Sequence, residues 1–205
     1  MRLTICPIKP YMSLLGLELV TDARRKRIQA YMRPEDKARC LVAGLLLRKG
    51  CGVTDDEQLA VTENGKPTMK DGGQFFNLSH SGDYVVLATA GRQIGVDIEK
   101  ITRFSEAVAA RCFTPQERDW MQEQRTGEAF FQIWTAKESV MKAIGLGFSL
   151  PPQSFDVLPM DASAHVIAGK SWFLDWLTFD GHVICRALEG KAETTEIEHI
   201  TQTML

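Results

Sequence analysis

The sequence predicts an α+β protein built from two similar lobes that meet near residue 100. Strand-type alternation gives way to helical periodicity and then to more strands, and the same order runs again in the second half. The two halves have comparable length, although no strong repeat of residues relates them. The 205 residues are 44% hydrophobic and 24% charged. Such a chain suits one globular domain or two lobes of about 100 residues each. The lobes are therefore placed at 1–100 and 101–205.

Local chemistry sets each element. After a short first strand, Thr21 and Asp22 are suited to cap a basic helix beginning Ala23-Arg24-Arg25-Lys26-Arg27. A second helix starts at Pro34-Glu35-Asp36, where proline and acidic residues favour a first turn. Leu41, Leu45 and Leu46 give it an apolar stripe. Asn64-Gly65-Lys66-Pro67 is a turn by composition. Residues 75–78 and 84–88 read as strands flanking Ser79-His80-Ser81-Gly82, and 94–99 as the next strand. Thr114-Pro115-Gln116-Glu117 is a capping box with proline at the first helical position, so a helix starts there. A long helix over 126–144 stops at Gly145-Leu146-Gly147. The stretch 155–200 alternates apolar and polar residues and reads as three or four strands.

The totals exclude several classes. A net charge of -2 gives no global basic field for a nucleic acid or an anionic membrane. No apolar run approaches the ~20 residues that span a bilayer, and residues 1–7 lack the apolar core of a signal peptide. Cys6, Cys40, Cys51, Cys112 and Cys185 are odd in number and scattered, with no Cys-x-x-Cys pair. They read as reduced, mostly buried thiols, which fits a cytoplasmic protein.

Two segments carry the chemistry. In Gly95-Val96-Asp97-Ile98-Glu99-Lys100, strand alternation turns Asp97 and Glu99 to one face with Val96 and Ile98 behind them. In Trp134-Thr135-Ala136-Lys137-Glu138-Ser139-Val140-Met141-Lys142, Glu138 and Lys142 share a helix face at i and i+4. If that face meets the strand, three carboxylates and an ammonium converge. Three hard oxygen ligands suit Mg²⁺, and Mg²⁺ usually brings a phosphate with it. The first acidic motif lies beside the lobe junction, where clefts are common. Ser79, His80 and nearby backbone N–H groups suit an anion. A Ser–His hydrolase pair is disfavoured, because adjacent strand residues point to opposite faces. Arg24 and Arg27, at i and i+3, can reach one phosphate together, and Arg39 and Lys66 add further cations.

Asn64-Gly65-Lys66-Pro67, Phe76-Asn77-Leu78-Ser79-His80-Ser81, and the two segments above together resemble the 4′-phosphopantetheinyl transferases, from about Arg24 to Pro152. Within that family the length resembles the surfactin-synthetase-activating (Sfp) type, in which two similar lobes of one chain form a pseudo-dimer with the active site at the lobe interface. The resemblance implies a monomeric, Mg²⁺-dependent enzyme. It would move the 4′-phosphopantetheine arm of coenzyme A to a serine of an apo acyl or peptidyl carrier protein, releasing adenosine 3′,5′-bisphosphate. It implies that Asp97, Glu99 and Glu138 hold Mg²⁺ on the pyrophosphate, that Glu138 is the base, and that Lys142 neutralises developing charge. Arg24, Arg27, Arg39, Lys66 and His80 match the group that holds the 3′-phosphate and adenine end, with Pro67 and Ser79 lining the same region; Asp97 and Lys142 also contact the coenzyme. Cys40 stands where relatives often carry threonine.

The resemblance assigns coenzyme A to the first lobe and carrier docking to the second, after the first acidic motif. There Phe113 and Met121 suit either a docking surface or the core. Neither nucleic acid nor membrane is an expected partner. Two alternatives use the same residues. One is a Mg²⁺-dependent phosphohydrolase or nuclease, disfavoured by the absence of a basic, aromatic-studded groove. The other is a non-catalytic module that binds coenzyme A or a carrier protein, in which Glu138 and Lys142 would have no task.

Overall fold

In the computed structural model, which describes residues 1–161 and 163–200, the chain runs β1 (Arg2–Pro7), α1 (Asp22–Ala30), α2 (Pro34–Cys51), β2 (Leu59–Val61), β3 (Pro67–Met69), β4 (Phe75–Ser81), β5 (Tyr84–Ala90) and β6 (Ile94–Lys100). It continues with α3 (Glu106–Cys112), α4 (Pro115–Gln124), α5 (Gly127–Ile144), β7 (Ala164–Ile167), β8 (Lys170–Phe179), β9 (His182–Glu189) and β10 (Glu196–His199). The mixed α+β class is as the periodicity predicts. Ala162 and the last five residues of the 101–205 lobe lie outside the described residues.

The chain divides into two compact units, Met1–Arg92 joined by the segment from Thr194, and Gln93–Glu193. This differs from a division at residue 100. Strand β6 pairs antiparallel with β9 along its whole length, from Ile94 opposite Leu188 to Lys100 opposite His182. It therefore opens the second unit instead of closing the first. The chain then returns to the first unit, where β10 pairs parallel with β1.

In the first unit the sheet order is β10-β1-β5-β4, with β2 and β3 as a separate hairpin. Helix α2 begins with Pro34 at its first turn and ends at Gly52, whose φ of 68° supplies the left-handed cap. Its Leu41, Leu45 and Leu46 are buried with Ile28, Phe76, Val85 and Leu87, as the stripe predicts. Thr21 caps α1 by accepting from the Arg24 amide.

In the second unit the sheet order is β6-β9-β8-β7. The capping box predicted for α4 is present, with Thr114 and Glu117 each accepting from the other's amide. Helix α5 ends at Gly145, φ 84°, whose N–H donates to the Met141 carbonyl. Phe130, Ile133, Ala136 and Val140 of α5 are buried in a core shared with Phe113, Trp172 and Leu174. Three strands of each unit share one arrangement. The first strand pairs antiparallel with the far strand of a later hairpin, β1 with β5 and then β4, β6 with β9 and then β8.

All five cysteines are free thiols, and only Cys51 is not buried. No helix among the described residues is long and apolar enough to cross a membrane.

Candidate active site

Gly95 makes the site possible. A Cβ there would lie 1.9 Å from the Ser139 carbonyl oxygen and 2.5 Å from the Ala143 amide nitrogen. Only glycine lets α5 come down onto β6 this closely. Ser139 Oγ, which donates to the Ala136 carbonyl at 2.8 Å, also lies 3.5 Å from Cys185 Sγ, so α5 meets β9 where Cys185 is the register partner of Asp97.

With the helix so placed, Lys142 Nζ donates to Asp97 Oδ1 at 2.5 Å. Asp97 is only 3% exposed, and Glu99 and Glu138 are half-buried. Burial raises the Glu138 carboxyl above the usual carboxylate range; the Lys142 ammonium opposes that shift, and the charges of Asp97 and Glu99 add to it. Asp97, Glu99, Glu138 and Lys142 thus act on one another within the second unit.

The donor set fits Mg²⁺ by chemistry, since all three groups offer hard carboxylate oxygens and mutual repulsion that a dication would relieve. It is not a finished cage. Among the described residues, no group of three or more His, Cys, Asp or Glu side chains is gathered to hold a metal ion.

In the first unit, several of the expected cations lie on elements that are tied together. Arg39 donates from Nε and Nη2 to the Gly82 carbonyl at 3.1 and 2.8 Å, and from Nη1 to Asp36 Oδ1 at 2.7 Å. Arg24 Nη1 lies 4.0 Å from Cys40 Sγ. Helices α1 and α2 and the β4–β5 turn are thereby joined. The Ser79-His80-Ser81 run is the end of β4, not a loop, and the turn itself is Gly82-Asp83. Ser79 is buried and His80 exposed, so the two side chains do not form a nucleophile–base pair. Arg27 is exposed on α1. Lys66 is half-buried at the β2–β3 turn, and burial pulls its ammonium down to about 8. Pro67 opens β3.

Of the two readings open for Phe113 and Met121, the structure supports the core. They are 0% and 7% exposed and sit in the core of the second unit, with the Phe113 ring 5.2 Å from that of Phe130. Neither can anchor a partner from the surface. An open groove of about 670 Å³ is lined by Val108 and Arg111 of α3, Trp134 of α5, and Phe148, Pro151 and Pro152. Phe148 is 64% exposed. Neither helix α3 nor the outward face of Trp134 is predicted from the sequence. Seven residues are too few to show a helical period, and an aromatic on an apolar helix stripe reads as core.

The family described as 4′-phosphopantetheinyl transferase superfamily matches residues 93–190 of this chain, and an N-terminal 4′-phosphopantetheinyl transferase family matches residues 9–92. The chain is 35% identical over 150 residues to a 4′-phosphopantetheinyl transferase of Bacillus subtilis, covering 67% of this chain and 66% of the relative. It is 31% identical over 150 residues to 4′-phosphopantetheinyl transferase Sfp of Bacillus subtilis (strain 168), covering 69% and 67%. It is 33% identical over 144 residues to 4′-phosphopantetheinyl transferase gsp of Aneurinibacillus migulanus, covering 66% and 60%. The aligned part of this chain thus spans 60% to 67% of the length of these relatives.

Proposed function

This chain belongs to the 4′-phosphopantetheinyl transferase superfamily, and on that premise we propose that it transfers the 4′-phosphopantetheine arm of coenzyme A to a serine of an apo carrier protein. Adenosine 3′,5′-bisphosphate leaves. The observation that carries this reading is the meeting of Asp97, Glu99, Glu138 and Lys142 on β6 and α5. The pseudo-dimer is part of the same proposal, supported by the three-strand arrangement that the two units share.

A serine hydroxyl is a poor nucleophile at neutral pH. Glu138, whose carboxyl is raised by burial, is a stronger base than an exposed glutamate once ionised. It takes the hydroxyl proton, directly or through a water, as the oxygen attacks phosphorus. Lys142 then balances the charge that gathers on the pyrophosphate oxygens. Asp97, Glu99 and Glu138 would hold Mg²⁺, which supplies electrostatic neutralisation of the pyrophosphate when bound. In the first unit, Arg24, Arg27, Arg39, Lys66 and His80 are assigned to the 3′-phosphate and adenine end, beside Pro67 and Ser79. The acceptor surface is assigned to the groove of Val108, Arg111, Trp134 and Phe148. Its apolar walls and the exposed Arg111 complement an acidic, partly apolar helix.

The test is intact-mass spectrometry of an apo acyl carrier protein and an apo peptidyl carrier protein, each incubated with coenzyme A, Mg²⁺ and this protein. A gain of one phosphopantetheine arm, lost with Glu138→Gln and on chelation, is the expected result. No gain on either carrier counts against the reading.

A further inference from the structure

Lys137 stands inside the Trp134-x-x-Lys137-Glu138 segment, yet it takes no part in the carboxylate cluster. It is completely buried, with Nζ 2.9 Å from Glu117 Oε2 and 2.7 Å from the carbonyl oxygens of both Pro152 and Phe155. These three acceptors use all three donors of the ammonium. The ammonium also lies 4.5 Å from the centre of the Phe155 ring. Glu117, equally buried, accepts from the Thr114 amide at 2.8 Å and from the Val157 amide at 3.0 Å. One ion pair thus ties α4, α5 and residues 152–157 into a single polar knot.

Such a knot is poor evidence for stability, because apolar residues of similar volume often serve as well. Its geometry specifies position. From Pro151 to Met160 the regular structure is a single 3-10 turn, Pro152–Ser154, and no strand ladder places the segment. Lys137 fixes it from inside through two carbonyls. Gln153 Nε2 fixes it from outside by donating to the Ala110 carbonyl of α3 at 3.0 Å. Pro152, held at its carbonyl by Lys137 and next to Gln153, lines the groove with Pro151 before it and with Val108 and Arg111 of α3.

We propose that Lys137, paired with Glu117, is a positioning residue for the acceptor: it holds the Pro151–Pro152 wall in place and governs carrier-protein engagement without touching the transferred group. This rests on the reading of the groove as the acceptor surface. Glu138 and Lys137, adjacent in sequence, then divide the labour. One faces the reaction and the other shapes the surface where the acceptor lands.

The test compares the parent with the double variant Lys137→Met/Glu117→Gln and with Phe148→Ala. The double variant removes both charges together, so neither is left buried alone. Phe148 is exposed, so its variant does not challenge folding. Steady-state transfer to an apo carrier is measured while carrier and coenzyme A are varied separately. The expected result in both variants is a carrier KM raised about tenfold, with kcat and the coenzyme A KM within about twofold of the parent. KM does not depend on the fraction of enzyme folded, and kcat is referred to the folded fraction read by circular dichroism, so a partly unfolded double variant still reports. An unchanged carrier KM, or a loss confined to kcat, overturns the inference alone. No transfer by the parent overturns the transferase reading, and this inference with it.

Discussion

Lys142 on α5 donates to the buried carboxylate of Asp97 on β6 at 2.5 Å, joining positions 45 apart in the chain. This pair separates stability from chemistry. Lys142→Met removes the cation beside a buried carboxylate and is expected to cost about 1–3 kcal/mol in thermal or denaturant unfolding. Asp97→Asn/Lys142→Met removes both charges and should recover most of that loss. Transfer should stay at least about 100-fold below the parent in both variants, because the pyrophosphate loses its neutralising group. Recovery of turnover along with stability would make the pair purely structural.

Glu138 gives a pH dependence with opposite signs for activity and stability. A base works ionised, so a carboxyl raised by burial moves the acid limb of kcat/KM above the ~4.3 of an unperturbed glutamate. For stability, a group whose folded pKa is raised favours the fold while protonated, and that contribution is lost as pH rises through the folded value. Glu138→Gln should therefore lower transfer by about 10²–10⁴-fold yet hold or raise the thermal midpoint at pH 7. A fall in both together would mean that ionised Glu138 supports the fold.

The carboxylate strand and the i, i+4 helix pair were legible because each depends on one local period, two for β6 and 3.6 for α5. Their meeting was legible only as a condition, since no local rule says which helix lies on which strand. Gly95 held that information. Glycine in a strand marks a close approach, here by the backbone of α5. Lys137 carried a comparable signal. It sits four residues after Ile133 and three before Val140, a charge on a stripe that is otherwise apolar. In the sequence its partner Glu117 shows only the signature of a capping residue, and nothing there brings residues 117 and 137 together. The point at which one unit gives way to the next is hidden from the sequence for the same reason. The pairing of β6 with β9 is a long-range fact, and strand character alone does not say which sheet a strand joins.

The close approach at Gly95 predicts intolerance of even one methyl group. Gly95→Ala must push α5 away from β6, because the two nearest atoms it meets are backbone and cannot rotate aside. A loss of about 3 kcal/mol or more is expected on denaturant unfolding. Any folded fraction should show a Lys142–Asp97 pair pulled apart and a kcat reduced more than the coenzyme A KM is raised. Near-parent stability and kcat would show that the helix has room to move, and would remove Gly95 from the site.

Lys66 supplies the last prediction, and it concerns the coenzyme end. Burial pulls its ammonium down to about 8, so above that pH a growing share is neutral before any ligand binds. A phosphate beside it favours the charged form, so binding at pH 9 should draw in a proton. The coenzyme A KM should accordingly climb by about tenfold per pH unit above 8 for the parent, as expected for one required proton. Lys66→Arg, whose guanidinium stays charged, should flatten that climb. Lys66→Met should show a high, pH-independent KM throughout. Calorimetry in two buffers of different ionisation enthalpy counts the proton directly. If the parent and Lys66→Arg climb together, or if no proton is taken up at pH 9, Lys66 does not contact the coenzyme phosphate.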